Sequence, residues 1–175
     1  MKIHPHLFSQ IIRLDNLFES WKEFRRGKRK KKDVQIFERH LEDNLFQLHH
    51  QLKTKTYHHS DYTSFYITDP KPRHICKARV RDRIVHHAVY RVLYPLFDQI
   101  FIFDSYSCRL SKGTHKAVGR LEKFARKVSR NYTRPCYVLK CDIKKFFNSI
   151  DHWILFELIK KKISDQETLD LIWKI

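Results

Sequence analysis

Asp142 is the residue whose placement reads most directly as chemistry. It closes an alternating stretch: Tyr137, Leu139, Cys141 and Ile143 point to one face, and Val138, Lys140 and Asp142 to the other. That period predicts a strand over 137–143. A carboxylate delivered by the end of a buried strand is a hard oxygen ligand held in place, which Mg²⁺ requires. A single aspartate there also serves simply to cap the turn after a strand, and on spacing alone that is the commoner case. Lys144, Lys145, Phe146 and Phe147 follow at once. Asp151 is then placed to cap a helix carrying Ile154, Leu155, Leu158, Ile159 and Ile163.

The other chemistry is cationic. Lys71 and Arg73 fall near the tip of a predicted hairpin. Arg79, Arg81 and Arg83 cluster around Asp82, and Arg25 to Lys32 is a run too charged to pack. Such a run is either a solvated loop or a loop that touches phosphates without reading sequence, and the two are compatible. The four cysteines (Cys76, Cys108, Cys136, Cys141) have no CxxC or finger-like spacing, so they are expected to be reduced, partly buried thiols. His49-His50, His58-His59 and His86-His87 are adjacent pairs, and adjacent side chains diverge on a helix or strand, so they do not chelate together. With three glycines in all, there is no glycine-rich phosphate loop.

Lys and Arg number 36 against 19 Asp and Glu, a formal net charge of +17 over 175 residues. That excess opposes compaction by self-repulsion unless a polyanion binds, and nucleic acid is the first candidate. A membrane surface is the second, but no stretch approaches the apolar length of a spanning helix. Met1 to His6 has no apolar signal-peptide core, so the expected compartment is the cytosol. A 42% apolar share suffices for one ordinary domain core.

These residues need elements to position them. Leu7, Phe8, Ile11, Ile12, Leu14, Leu17, Phe18 and Trp21 predict one amphipathic helix to about residue 24, and Val34, Phe37, Leu41, Leu45 and Leu48 a second. Tyr62 to Ile67 and His74 to Cys76 predict the hairpin, with Asp69-Pro70-Lys71-Pro72 as its turn. Val85, Ala88, Val89, Val92, Leu93 and Leu96 predict a third helix that Pro95 bends or ends. Thr114 is placed to cap a helix with Ala117, Leu121, Phe124, Ala125 and Val128 on its apolar face. The last stretch, Leu169 to Ile175, is helical in pattern and stops on an apolar turn, from which a continuation of the chain or a covering partner is expected.

Taken in order, the pieces resemble a bacterial reverse transcriptase of the kind found in group II introns, retrons and diversity-generating retroelements. Phe65-Tyr66-Ile67 leading into Lys71-Pro72-Arg73 resembles the nucleotide-binding hairpin of the fingers, and Val80 to Val89 the RDRIVQ-A segment after it. Ser105 to Arg109 with Gly113 to Ala117 is similar to the SYGFR…G-S-H-A element, and Asp142 to His152 to the first palm motif. The basic run and the SYSCR-KGTH wording look most like the diversity-generating class. The resemblance covers residues 1–175 almost continuously. It divides them into an N-terminal helical basic region (1–60), fingers (61–130) and a partial palm (131–175).

The resemblance implies roles. Asp142, with the Ile143 carbonyl, would hold the two Mg²⁺ ions of a phosphoryl transfer to a primer 3′ end. Lys71 and Arg73 would clamp a deoxynucleoside triphosphate, Arg as a planar fork and Lys as a point charge. Backbone N–H groups of Lys145 and Phe146 would cradle phosphate oxygens. Phe147 would sit under the sugar as a steric gate, unless it is ordinary core. Arg79, Arg81, Arg83, Arg109 and Lys112 would follow the backbone of an RNA template paired with a DNA primer. The fold expected is α+β, with helices around a small antiparallel palm sheet and a fingers hairpin.

The departure lies in what these residues lack. The Tyr-x-Asp-Asp pair that supplies the family's further carboxylates is not among them, nor are the second palm motif and the thumb. These 175 residues alone are therefore expected to be inactive, completed by a C-terminal palm and thumb or an accessory protein. The alternative, from a different class, is a non-catalytic basic nucleic-acid-binding module.

Overall fold

The computed structural model describes residues 4–175. Two compact units divide the chain: residues 1–95 with 152–175, and residues 96–151.

In the first unit the predicted N-terminal helix is two, α1 (Leu7–Ile12) and α2 (Leu14–Arg25). Arg13 leaves helical geometry at φ −53°, ψ 137° and its guanidinium forks onto Asp15 in the first turn of α2. The carbonyls that α1 leaves open are not orphaned. Asn16 Nδ2 donates to the Ile11 carbonyl at 2.9 Å, and His49 Nδ1 to that of Ile12 at 2.7 Å. The second predicted helix is also split at His40, into α3 (Lys32–Arg39) and α4 (Leu41–Lys53), with Asn44 Nδ2 closing onto the Phe37 carbonyl. The apolar period continues across both breaks, and polar side chains that satisfy the open ends make the breaks tolerable.

The hairpin is β1 (Thr63–Thr68) and β2 (Pro72–Lys77), antiparallel, with Phe65 opposite Ile75 and Ile67 opposite Arg73. Then α5 runs Val80–Asp98 with Pro95 inside it, so the proline does not end the helix. Pro95 is exposed, so solvent can take the carbonyl that its missing N–H leaves open. The core packs Trp21 and Phe24 of α2 and Leu45, Leu48 and Leu52 of α4 against Ile84, Val85 and Ala88 of α5, all essentially sealed from solvent. At the other end of this unit, α8 (His152–Lys160) and α9 (Gln166–Lys174) follow. Asp165 ties α9 to α1 by accepting from the Phe8 N–H at 2.7 Å and from the Thr168 hydroxyl. The α8 helix begins directly after Asp151, where the sequence places its cap.

In the second unit α6 (Thr114–Val128) and the one-turn α7 (Phe146–Ser149) are the regular elements. Thr114 is the first helical residue and not the cap. Gly113 holds the cap position at φ 110°, ψ 175°, a conformation that residues with a Cβ avoid. No residue of α6 is buried.

Two further expectations are corrected. No strand forms over 137–143: the backbone from 135 to 143 is in neither helix nor strand, and Tyr137 and Leu139 are 92% and 87% exposed. A strand is held by a partner's ladder, and among the described residues the hairpin is the only sheet. Among the described residues the architecture is therefore α+β with one two-stranded antiparallel sheet. All four cysteines are exposed and not partly buried.

Candidate functional site

Lys71 lies in the turn between the hairpin strands. Arg73 is the second residue of β2, facing Ile67 across the ladder. Both are exposed, and neither makes a hydrogen bond or ion pair among the described residues. The hairpin thus presents two uncompensated cations, one in its turn and one on its ladder, which suits a polyphosphate.

The three arginines that follow divide. Arg79 is exposed. Arg81 turns inward: Nη1 donates to Gln51 Oε1 at 3.0 Å and Nη2 to the His58 carbonyl at 2.6 Å, with the guanidinium 5.2 Å over the Tyr57 ring. Arg83 donates to Asp33 Oδ2 at 2.7 Å and covers Phe24 at 4.7 Å. Both fasten the N-terminal end of α5 to the helical core.

Between them sits Asp82, fully buried. Its Oδ1 accepts from the Tyr57 hydroxyl at 2.9 Å and its Oδ2 from the Ser60 N–H at 3.2 Å. Burial pushes this carboxyl up, but the hydrogen bonds from Tyr57 and Ser60 and the charge of Arg81 outweigh it and leave Asp82 below the usual carboxylate range. Tyr57 is pushed up, first by burial and then by its bond to Asp82. Beside this cluster His59 and His86 face each other with Nε2 atoms 3.2 Å apart. His59 Nδ1 lies 2.7 Å from the Ser60 carbonyl, which can only accept. A neutral His59 therefore carries its proton on Nδ1, and His86 must donate from Nε2. The spacing of charged residues marked Asp82 but gave no sign that Tyr57, twenty-five residues away, would be its partner.

In the second unit Asp142 and Ile143 lie on the exposed, irregular segment, with Ile143 63% exposed. Lys145 takes left-handed geometry (φ 52°, ψ 44°) and its carbonyl accepts from the N–H groups of Asn148 and Ser149, opening α7. Phe146 and Phe147 stand edge to face at 5.4 Å, and Phe147 is 82% exposed, so it is not core here. Arg109 is spent within its own loop, donating to Asp98 Oδ1 at 2.7 Å and to the carbonyls of Asp98, Ile102 and Ser105. Lys112 donates to the Phe103 carbonyl and lies 3.8 Å over that ring.

The donor set for a metal is incomplete. Among the described residues no three His, Cys, Asp or Glu side chains come together as a metal site. Asp142 supplies one carboxylate, which by itself does not neutralise or enclose a divalent cation. None of the described helices is long and apolar enough to cross a membrane.

Sequence comparison adds relatives to this geometry. No protein-family model matches the chain. It is 26% identical over 136 residues to the group II intron-encoded protein LtrA of Lactococcus lactis subsp. cremoris, covering 76% of this chain and 22% of that one. It is 27% identical over 95 residues to protein YkfC of Escherichia coli K12, 54% of this chain and 24% of that one. It is 30% identical over 94 residues to a 91 kDa protein in the cob intron of Schizosaccharomyces pombe, 54% of this chain and 11% of that one. The chain spans about a quarter of the length of the first two of these relatives. Two of these three relatives carry an intron in their names, and the identity to each is low.

Proposed function

We propose that this chain is the fingers and partial palm of an RNA-directed DNA polymerase, residues 61–130 and 131–175, preceded by a basic helical region. The observation that carries the reading is the order of its motifs, from Lys71-Pro72-Arg73 through Arg81-Asp82-Arg83 and Ser105–Arg109 to Asp142–Asp151. The 136-residue similarity to a group II intron-encoded protein supports it. The wording of the basic run and of Ser105–His115 favours the diversity-generating class within that family, whereas LtrA belongs to a group II intron.

In this reading Lys71 and Arg73 take the triphosphate, and Phe147 stands where a sugar would be sorted. Asp142 and the Ile143 carbonyl contribute one corner of a Mg²⁺ site that other carboxylates must finish. Template contact falls on Arg79 and Lys112, since Arg81, Arg83 and Arg109 are occupied within the fold. RNA template, DNA primer and deoxynucleoside triphosphates are the implied partners, in the cytosol. In this reading one carboxylate does not hold two Mg²⁺ ions, so these residues are not expected to polymerise alone. That same observation is what favours the second reading, a basic nucleic-acid-binding module.

Two measurements test this. Primer extension on an RNA template by the 175-residue chain should give no product, and product that Asp142→Ala abolishes would overturn the claim of an incomplete site. Equilibrium binding of a fluorescent deoxynucleoside triphosphate should weaken about tenfold or more in Lys71→Ala/Arg73→Ala, as expected when two charge-assisted hydrogen bonds to phosphate are removed. Affinity unchanged by that pair would favour the binding module.

A further inference from the structure

Two of the adjacent histidine pairs meet across the fold. His59 precedes β1 and His86 lies on α5, and their Nε2 atoms are 3.2 Å apart. The ring centroids are 5.2 Å apart and the planes 8° from parallel, so the nitrogens lie between the centroids and each ring offers that edge to the other. The second member of each pair is elsewhere: His58 is exposed, and His87 stands edge-on to Phe24 at 5.9 Å. Adjacent side chains diverge, and here two pairs that cannot chelate singly supply one nitrogen each.

The separation suits coordination better than a hydrogen bond. Zn–N bonds of about 2.0–2.1 Å at tetrahedral angles put two ligand nitrogens roughly 3.3 Å apart, whereas 3.2 Å is the long end for an N–H donor. The outer nitrogens also fit. His59 Nδ1 lies 2.7 Å from the Ser60 carbonyl, which keeps the proton of the neutral ring there and leaves the Nε2 lone pair bare. A carbonyl on the far nitrogen is the partner that orients a metal-bound imidazole. Tyr62 lies against the His59 ring at 4.9 Å and holds its plane. His86 Nδ1 makes no hydrogen bond among the described residues, so that ring can carry its proton on Nδ1 and free Nε2.

The surrounding charge selects the kind of ion. Asp82 lies one turn before His86 on α5, but Arg81 is 3.5 Å from it, and Asp33 is taken by both Lys77 and Arg83. No net negative charge draws a cation in, so binding rests on the nitrogen–metal bonds. Hard oxygen-seeking ions gain little there, and ions that prefer imidazole gain most.

We propose that His59 and His86 bind a divalent transition metal of the imidazole-preferring kind, zinc, nickel or copper, with water in its remaining positions. Two protein ligands make an open site, weaker than the three or four of an enclosed one. The ion would join the segment that enters the hairpin to α5. Every residue of β1 is exposed, so burial along that strand does not orient the hairpin, and its base does. Metal at 59 and 86 stiffens that base. The site uses none of the residues assigned to nucleotide, template or Mg²⁺, so it stands or falls separately from the function proposed above.

The test is isothermal titration calorimetry of the whole chain with Zn²⁺, Ni²⁺ and Mg²⁺ in turn, followed by amide hydrogen exchange with and without Zn²⁺. The wild type should take up one equivalent of Zn²⁺ or Ni²⁺ more than His59→Gln or His86→Gln. The four exposed cysteines stay in every variant, so whatever metal they hold cancels in the difference. His115→Gln, on α6, should titrate as the wild type. Mg²⁺ should give no response that depends on His59 or His86. Exchange at 59–64 through opening of the site should slow about a hundredfold when free Zn²⁺ is about 100 times Kd, and not in either variant. His86 is partly buried, so His59→Gln carries the comparison if His86→Gln fails to fold. Equal stoichiometry in the wild type and His59→Gln, a Mg²⁺ response that His59→Gln abolishes, or exchange at 59–64 unchanged by Zn²⁺ would each overturn the proposal.

Discussion

Replacing Tyr57 by Phe removes one oxygen from a site sealed from the surface. Tyr57 and Asp82 are 1% and 0% exposed, and the hydroxyl donates to Asp82 Oδ1 at 2.9 Å. Without it a buried carboxylate keeps Ser60, whose N–H lies at 3.2 Å, and Arg81 Nε at 3.5 Å. A hydrogen bond to a buried charge contributes about 1.5–3 kcal/mol. For a chain of this size roughly 2 kcal/mol lowers the melting temperature by about 4–8 °C. Asp82→Asn should cost as much or more, because Tyr57 and Ser60 donate to different carboxylate oxygens and an amide puts an NH2 donor where one of them stood. The double variant should lose less than the sum of the two, with a coupling of about 1 kcal/mol or above. Differential scanning calorimetry of the four proteins measures this, and Tyr106→Phe is the control. Tyr106 donates to Asp104 at the same 2.9 Å, but this pair is open to solvent, which can replace the bond, so no shift is expected there. Additive single variants, or Tyr57→Phe melting with the wild type, would refute the claim that this buried pair locks α5 to the segment before the hairpin.

Two further outcomes follow from the same kind of accounting. His86 is held below the usual imidazole range by burial and then by His59 and His87, with Asp82 opposing; His87 is lowered by burial and then by Lys28, with Glu23 opposing. The folded chain therefore keeps both neutral while the unfolded chain takes up protons, so stability is full above the unfolded value near about 6.5 and falls as pH drops through the lowered folded values. Urea midpoints at pH 7.5 and 5.5 should show the fall, and His86→Gln/His87→Gln should flatten it; an unflattened profile would count against these two residues. Arg109→Met removes the hydrogen bonds from Arg109 to Asp98, Ile102 and Ser105 and should cost about 2 kcal/mol of local stability, roughly thirtyfold in amide exchange at 102–106. Exchange in that loop unchanged, or raised equally in α2, would show that the arginine does not hold the loop.

Local order was legible wherever a few neighbouring residues decide it. The apolar periods of α2, α4 and α5 and the Asp69-Pro70-Lys71-Pro72 turn placed those elements and put Lys71 and Arg73 at an exposed hairpin end, since periodicity and turn chemistry act over a few residues. The stretch 137–143 has a strand's alternation as clearly as β1 does, yet only β1 has a ladder, because β2 begins directly after the three-residue turn 69–71 while nothing described pairs with 137–143. The destination of each arginine was not legible at all. Arg79, Arg81 and Arg83 read alike in the sequence, and tertiary packing alone sends Arg81 to Gln51 and His58 and Arg83 to Asp33 while leaving Arg79 in water. Composition determined that this chain attracts polyanions, since net charge is a sum that folding does not alter. Which cations remain free to meet one depends on partners brought together from distant positions, and only the tertiary structure decided that.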